Sequence, residues 1–458
     1  MKSRFSVLAA PLLVLSMLLS ACPAPAAPAT SEQAPVEAAT EAPAAPAAAA
    51  GDEVTIRWRT RPDNQEEAGV YQGISESLDE TMEGVALAYE PGGSEGSSYQ
   101  DVLKTEIAAG TAPDVFWIPG TDIADFATRG LILNLADLAD ATDDFDVENY
   151  YPGPMSHLTY NPEDAASGAG SSALWGLPRD VSTFALYLNL DLINEAGAPD
   201  PRELAAEGNW TWDTFAEVAQ TVRGLGSDIY GYGANAWWGP YGVWLNAAGG
   251  GFFTEDRTAC NLNSPESLQG LDFQRSLYQD FDVAVPYGQD SEPPYRAGKV
   301  AMFQNGRWAT PGARTVEFNW DVVELPKGPS GTQGNWLFWG AYVVNAKTEH
   351  PDEAWQLVQM LTTADTQAQI SALGTNIPSR VSQDALDAFL TFTPPDNNQA
   401  FLNGLNDSPA TEGPLWAGSW PQYDTIMGPA IQEVLTGGRT VEEFGQTICD
   451  EANKAFTQ

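Results

Sequence analysis

The sequence predicts an α/β protein, and three observations point to that class. Strand-like segments alternate with helix-like segments along most of the chain, a rhythm typical of a mostly parallel sheet with helices on both faces. Glycine and proline stand where many of these segments end, as expected for turns between regular elements. About 400 of the 458 residues follow an Ala/Pro-rich stretch near the start, and a body of that length holds two or three domains.

In the first part of this body, predicted strands and helices alternate. Short apolar and β-branched runs predict strands at residues 54–58, 86–89 and 114–118. Residues 71–82 and 98–109 between them predict helices, and a Gly-Thr-Ala-Pro break follows the second helix. This βαβαβ order predicts neighbouring parallel strands.

The rest of the body adds one strand and several capped helices. A predicted strand at 185–189 leads into a helix at 190–196, which Gly197 ends. The remaining predicted helices are 212–222 after the N-cap Thr211, 267–279 after Ser264 and Pro265, 352–361, 427–435, and 441–456 after the N-cap Thr440.

The start of the chain has the pattern of an export signal. Lys2 and Arg4 precede an apolar run at residues 5–19, which ends in Leu-Ser-Ala-Cys at 19–22. The apolar run is short of the ~20 residues that span a membrane, so a transmembrane anchor is the weaker alternative. The ending resembles the lipobox of bacterial lipoproteins, which implies a signal peptide at 1–22 and acylation of Cys22. Residues 23–51 are almost entirely Ala and Pro, and they predict a disordered tether.

The formal net charge of −41 excludes one class of partner. A field of that sign repels phosphate backbones, so we expect no nucleic-acid binding.

Two cysteines, Cys260 and Cys449, lie beyond Cys22. An even pair in an exported body predicts a disulfide between the middle of the chain and its last helix. Two buried free thiols are the alternative.

No motif for catalysis, metal binding or a cofactor stands out. The only histidines are His157 and His350, and no His/Cys group has metal-ligand spacing. Motifs of nucleophile elbows, zinc peptidases and phosphate-binding loops are missing. The 62 acidic residues leave room for a glycosidase carboxylate pair, although nothing in the sequence selects one. We therefore expect no enzyme activity, metal or cofactor.

The aromatic residues carry the strongest remaining signal. There are 15 tryptophans, and several fall in segments rich in Gly, Asn and Pro that look like loops, at 237–241, 335–340 and 416–423. Tryptophans on turns are candidate stacking platforms, whereas the alternative for each is core packing.

Several segments together resemble the extracellular solute-binding proteins of ABC importers, in the sugar-binding family that includes maltose-binding protein. The clearest is 296–308, with Gly-Lys, an apolar strand containing Met302, and a turn with Gly306 and Trp308. Further matches are Pro-Asp-Val-Phe-Trp at 113–117, Leu-Tyr-Leu-Asn at 186–189, Thr-Trp-Asp-Thr-Phe at 211–215, and the stretches 340–355 and 436–443.

This resemblance implies a two-lobed, periplasmic-binding-protein-like fold of type II, with a hinge between the lobes and a ligand cleft at the lobe interface. The first lobe would comprise residues 52–182 plus 300–364, and the second 183–299 plus 365–458. The chain would cross between lobes near Asn189 and Ala301. A bridge between the two cysteines would lie within the second lobe and leave the hinge free.

The resemblance also implies which residues bind the ligand. A sugar offers apolar C–H faces and a rim of hydroxyls, so a site for it needs aromatic planes and charged hydrogen-bonding groups. The implied first-lobe residues are Arg61, Trp117, Asp122, Asp180 and Trp308. The implied second-lobe residues are Trp237, Trp238 and Tyr241, with Trp336 reaching in and Trp416, Trp420 or Tyr423 on the far wall.

The implied function is to bind a carbohydrate, a neutral mono- or oligosaccharide, outside the cytoplasmic membrane. The lobes would close on it, and a protein that is expected to be a monomer would deliver it to an ABC transporter permease. Two alternatives stay open. One is an exported carbohydrate-active enzyme. The other is a binding protein for another solute, such as glycerol phosphate or a peptide, which would need basic residues in the cleft; Arg61, Arg179 and Arg307 are the main candidates.

Overall fold

A computed structural model describes residues 53–62, 65–93, 96–163, 165–407 and 410–456, all within one structural unit that spans residues 51–458. The predicted signal peptide, its lipidation site Cys22 and the Ala/Pro tether lie outside the described residues. No helix in the described part of the chain is long and apolar enough to cross a membrane.

The described residues form eleven strands. They are β1 (Val54–Thr60), β2 (Val85–Pro91), β3 (Val115–Pro119), β4 (Leu177–Ser182), β5 (Phe184–Asn189), β6 (Tyr230–Ala234), β7 (Val300–Gly306), β8 (Trp320–Val323), β9 (Trp336–Val344), β10 (Ile377–Pro378) and β11 (Ala410–Thr411).

Eighteen α-helices accompany them in the same residues. They are α1 (Gln65–Asp79), α2 (Gly96–Ala109), α3 (Ile123–Thr128), α4 (Ala136–Asp140), α5 (Pro152–Leu158), α6 (Leu190–Ala196), α7 (Pro201–Ala206), α8 (Trp212–Arg223), α9 (Trp238–Ala247), α10 (Pro265–Gln279), α11 (Glu292–Arg296), α12 (Thr310–Ala313), α13 (Pro351–Leu361), α14 (Ala364–Ser371), α15 (Gln383–Thr391), α16 (Gln399–Asn406), α17 (Trp420–Leu435) and α18 (Val441–Ala452).

The larger of two sheets has the strand order β10-β4-β9-β3-β1-β2, with β11 beside β9. β1 pairs in parallel with β2 and β3, as the βαβαβ rhythm predicts. The prediction of a mostly parallel sheet is wrong for the other half, because β9 runs antiparallel to both β3 and β4. The strand before β9 in the chain is β8, which belongs to the smaller sheet. β9 is therefore not part of a βαβ unit of the larger sheet.

The smaller sheet has the order β6-β7-β5-β8. One of its faces, with Leu186, Leu188 and Met302, packs in a core shared with α8, α9, α10, α17 and α18. The opposite face, with Tyr187 and Phe303, joins the core that surrounds the larger sheet. Each sheet is therefore the centre of one lobe.

The chain passes between the sheets more than once. The first passage is at Thr183, between β4 and β5, and the second lies in residues 324–335, between β8 and β9. A third passage follows β11 and leads to α17.

Sheet pairing differs from the predicted lobe composition in two segments. Residues 365–458 are predicted for the second lobe, whereas β10 pairs with β4 and β11 with β9 in the larger sheet. The sequence assigned residues 300–364 to the first lobe and a crossing to Ala301, whereas β7 and β8 both pair with β5 in the smaller sheet. Asn189 ends β5 and is likewise no crossing point. The reason is that a local apolar run identifies a strand but carries no information about its partners. The other lobe limits stay a prediction.

The three aromatic segments predicted as loops fall on regular elements. Residues 238–241 lie in α9, 336–340 in β9 and 420–423 in α17. The predicted caps are in place: Ser264 accepts the Ser267 N–H, and Thr440 accepts that of Glu443. Cap chemistry is local and can be recognised in sequence, whereas burial of an aromatic ring depends on distant partners.

A disulfide joins Cys260 to Cys449, the pair suggested by the cysteine count. Phe253 and Cys260 face each other across a short hairpin, and Cys449 lies on α18. The bridge therefore holds this hairpin against the last helix, inside the core of the smaller-sheet lobe.

Candidate functional site

A cleft of about 740 Å³ lies between the two sheets. The carboxyl ends of β1 and β3 and the middle of β4 and β9 reach it from the larger sheet, and the ends of β6 and β7 reach it from the smaller one. Its lining residues are Arg61, Gln100, Asp101, Lys104, Trp117, Pro119, Thr121, Asp122, Arg179, Asp180, Ser182, Asn235, Trp237, Trp238, Glu292, Asn305, Trp308, Phe338, Trp339, Gly340, Asn376, Glu412, Trp420, Pro421 and Asp424.

Four rings form what we call the aromatic cluster: Trp237, Trp238, Trp308 and Phe338. The Phe338 ring lies 5.5–5.6 Å, centroid to centroid, from each of the three indoles. Trp237 and Trp238 cross edge to face at 5.1 Å. Such edge-to-face packing adds about 0.5–1.5 kcal/mol per pair beyond burial and fixes the ring planes. The three indoles stay partly exposed toward the cleft.

Glycines allow two of these indoles to lie close to the backbone. A Cβ atom on Gly306 would overlap the ring of Trp308, and one on Gly239 would overlap the ring of Trp237. The motif Gly-Arg-Trp at 306–308 therefore has a packing reason, since the glycine leaves room for the ring.

The opposite side is what we call the polar wall: Arg61, Asp122, Arg179, Asp180 and Glu412. The Arg179 Nε donates to Asp180 Oδ2 at 2.7 Å, and its Nη1 donates to Thr60 Oγ1 at 2.9 Å. Arg179 is 4 % exposed, so its partners hold it rigidly at the base of the cleft.

Trp117 belongs to this side but offers little free face. Its ring is covered by the guanidinium groups of Arg61 at 4.7 Å and Arg179 at 4.9 Å from the ring centroid. The residue is 5 % exposed. Cation–π contacts of this kind orient the arginines, so the indole supports the polar wall more than it offers a stacking surface.

Two carboxyl groups of the polar wall have raised pKa values, and one of them is largely protonated at neutral pH. Burial raises the pKa of Glu412 to about 8, although backbone N–H groups of Trp339 and Thr121 oppose the shift and the nearby Asp122 adds to it. Burial likewise raises the pKa of Asp122 to about 6. At neutral pH the Glu412 carboxyl is therefore largely protonated and able to donate a hydrogen bond.

Most of the residues predicted for the site line this cleft, but four do not. Those that line it are Arg61, Trp117, Asp122, Asp180, Trp237, Trp238 and Trp308, together with Trp420. The four that lie elsewhere are Tyr241, Trp336, Trp416 and Tyr423.

Packing explains the position of each of the four. Trp336 donates its Nε1 to the Gly239 carbonyl at 3.0 Å and supports Trp238 from behind. Tyr423 is fully buried, with its hydroxyl on the Phe252 carbonyl at 2.6 Å. Tyr241 is 2 % exposed, and Trp416 packs on Tyr160 and Trp175 away from the cleft.

Sequence reasoning missed several lining residues, above all Phe338, Trp339, Asn305, Glu412 and Asp424. Phe338 and Trp339 belong to the aromatic stretch at 335–340, whose Gly and Asn content predicts a loop. As neighbours on a strand they lie on opposite faces, and composition does not reveal this alternation. No local signal marks Glu412, which reaches the cleft because β11 lies beside β9.

The described residues contain no group of three or more His, Cys, Asp or Glu side chains placed to hold a metal ion. The chain passes repeatedly between two α/β lobes, and a polar and aromatic cleft lies between them. This architecture is that of a two-lobed solute-binding protein. Residues 79–391 match the family model described as bacterial extracellular solute-binding protein. The chain belongs to that family, which confirms the family and the two-lobed fold class predicted from the sequence.

Individual relatives are distant in sequence and similar in fold. A maltotriose-binding protein of Pyrococcus abyssi is 22% identical over 321 residues, 68% of this chain and 63% of the relative. An ABC substrate-binding protein of Listeria monocytogenes, solved with cycloalternan, has a TM-score of 0.76 at 20% identity and covers 88% of this chain and 99% of its own. UgpB of Mycobacterium tuberculosis, solved with glycerophosphocholine, has a TM-score of 0.73 at 17% identity, covering 87% and 98%.

Proposed function

We propose that this solute-binding protein captures a neutral carbohydrate in the cleft and delivers it to the permease subunits of an ABC transporter. The observation that carries the proposal is the opposition of two surfaces across one cavity. Partly exposed indoles suit the apolar faces of a sugar ring, and the polar wall suits its hydroxyls. The sugar-binding names of relatives point to the same ligand class.

The volume and composition of the cleft favour more than one sugar ring. A cavity of about 740 Å³ lies in the upper part of the range for small-molecule sites. The partly exposed indoles of Trp237, Trp238 and Trp308 all surround Phe338, so together they offer an aromatic surface wider than one ring. We therefore propose an oligosaccharide as the ligand.

Charge disfavours the alternative of a phosphate ester, despite the fold shared with UgpB. Six carboxyl groups line the cleft: Asp101, Asp122, Asp180, Glu292, Glu412 and Asp424. Three cations line it: Arg61, Lys104 and Arg179. Arg307, the third basic candidate from the sequence, does not reach the cleft. Glu412 is largely protonated at neutral pH, which leaves five carboxylates against three cations. This excess of negative charge repels a phosphate dianion but leaves a neutral sugar unaffected.

The alternative of a carbohydrate-active enzyme keeps one supporting observation. Asp122 and Glu412 are buried carboxyl groups with raised pKa values near one another, as in a glycosidase acid/base pair. The family consists of solute-binding proteins, so we expect binding without turnover. Incubation with the captured oligosaccharide should yield no shorter product, and release of a product would favour the enzyme.

The site is tested by ligand recovery and by matched tryptophan variants. Mass spectrometry of the solute released from purified protein should show an oligosaccharide, and a peptide or phosphate ester would refute the proposal. Trp238→Ala and Trp308→Ala should each weaken binding about tenfold, since losing ~60 Å² of stacked apolar surface costs about 1.5 kcal/mol. Trp416→Ala removes a partly exposed tryptophan outside the cleft and should leave the affinity unchanged.

The anchoring predicted from the sequence completes the proposal. The signal peptide would be cleaved before Cys22, and lipid on Cys22 with the 23–51 tether would hold a monomeric receptor near its permease. Cys22→Ala should release the protein from membranes into the soluble fraction. Retention of that variant in the membrane would refute the lipid anchor without affecting the proposed ligand.

A further inference from the structure

Arg307 is a buried cation whose charge the proposed sugar site does not use. It is 0 % exposed and follows β7, in the short 3₁₀ turn at Arg307–Ala309. Its Nη1 donates to Thr310 Oγ1 at 3.2 Å, and its guanidinium lies over the rings of Phe389 at 4.9 Å and Phe401 at 5.2 Å. Its Nε and Nη2 have no hydrogen-bond acceptor among the described residues.

A second arginine, Arg314, follows α12, and it is near enough for its charge to act on Arg307. Its Nε donates to the Pro394 carbonyl at 3.0 Å and its Nη1 to the Leu373 carbonyl at 2.9 Å, while Phe392 lies 3.7 Å from the guanidinium. Its Nη2 is buried without an acceptor among the described residues. Burial lowers the pKa of Arg307 to about 10, and the charge of Arg314 contributes to this shift.

Neither guanidinium forms an ion pair in the described part of the chain. Glu66 is the acidic group whose charge reaches Arg314. The chain has 62 acidic and 21 basic residues, and the buried Arg179, by comparison, pairs with Asp180. A buried charge is stable only when it is paired and hydrogen-bonded.

We propose that Arg307 and Arg314 bind a small inorganic anion of the size of chloride. Three unpartnered N–H-bearing nitrogens, two on Arg307 and one on Arg314, suit a single-atom anion. A phosphate or sulfate would need more donors than these groups supply, and the phenylalanine rings around them offer none. The site lies outside the cleft lining, so it does not depend on the proposed sugar function.

The anion would join two parts of the chain that belong to different elements. Arg307 and Arg314 flank α12, which follows a strand of the smaller sheet. Their partners lie in residues 373–401, which include α15 beside β10 of the larger sheet. A monovalent anion at this point would offset one of the two positive charges and so stabilise the contact between these two segments.

Thermal unfolding of the sugar-free protein tests the proposal. Chloride is raised about a hundredfold at constant ionic strength, with a bulky organic sulfonate as the balancing anion. The wild type should show a saturable rise in melting temperature. Arg307→Met should abolish that rise, whereas Arg275→Met, which removes an arginine paired with Asp272 and Asp280, should retain it.

Two results would overturn the proposal. One is a wild-type melting temperature that does not respond to chloride. The other is an Arg307→Met variant whose melting temperature exceeds that of the wild type by the same amount at every chloride concentration. That result is expected if no anion compensates the buried charge. A bromide-soaked crystal of the wild type gives a direct answer even where the variant does not fold: an anomalous peak beside Arg307 supports the site, and a flat map refutes it.

Discussion

Glu412→Gln is predicted to change how the stability of the protein depends on pH. The Glu412 side chain is 6 % exposed, and its Oε2 accepts the Trp339 backbone N–H at 3.2 Å. Burial raises its pKa from the model-peptide value of 4.5 to about 8. The folded protein therefore keeps a proton that the unfolded chain releases above pH ~4.5.

The sign and size of the effect follow from this difference. Because the folded state binds more protons between pH 4.5 and 8, the free energy of unfolding falls as pH rises through that window. At about 1.4 kcal/mol per pH unit, a shift of roughly 3.5 units gives a ceiling of about 5 kcal/mol. Asp122, with its pKa raised to about 6, contributes in the same direction and remains in the variant.

The assay is guanidinium unfolding at a series of pH values from about 4.5 to 8. Glutamine matches the neutral carboxyl in size and keeps an oxygen to accept the Trp339 N–H. Glu412→Gln should therefore gain stability relative to the wild type as pH rises, and Glu80→Gln, at an exposed position of the chain, should not. Parallel pH profiles for Glu412→Gln and the wild type would refute the argument that burial holds this proton.

Two further changes test the cleft and the core. Gly306→Ala should weaken sugar binding about tenfold, because the new Cβ displaces the partly exposed Trp308 ring. The loss of stability should be small, because the Gly306 backbone, at φ −79°, tolerates alanine. Calorimetric titration measures the affinity, and the control Gly73→Ala, with open space around it, should bind sugar as the wild type does. Replacing Cys260 and Cys449 by serine should lower the free energy of unfolding by about 2–4 kcal/mol, and a denaturant midpoint equal to that of the wild type would contradict a stabilising bridge.

The sequence was most informative where structure is local. Strand β1, the α6 end at Gly197 and the caps Ser264 and Thr440 depend on a few neighbouring residues, and each was predicted within a few positions. The sequence does not reveal strand partners. It predicts β7 as a strand but assigns it to the wrong lobe. The pairing of β7 with β5 joins residues more than a hundred positions apart, and periodicity contains no such information.

The same division applies to the candidate site. Trp308 and Trp237 stand in segments where glycine neighbours and a turn mark an unusual ring position, and both line the cleft. Trp416 and Tyr423 lie in segments of similar composition but pack elsewhere, because composition does not tell a cleft wall from a core. Glu412 could not be found, since its burial and protonation depend on β11 lying beside β9.

The asymmetry of the cleft has a consequence for how a sugar would be trapped. Stacking depends on contact area and tolerates small changes of angle. We therefore expect a sugar to bind first on Trp237 and Trp308, while the lobes are apart. A sugar hydroxyl would donate to Asp180 and accept from the protonated Glu412. Such hydrogen bonds need defined distances, so we expect them to form only when the polar wall approaches. We propose that these bonds are the differential interaction by which the ligand favours the closed form. We therefore expect variants of the aromatic cluster to lower affinity for all sugars alike, and variants of the polar wall to change which sugar is bound.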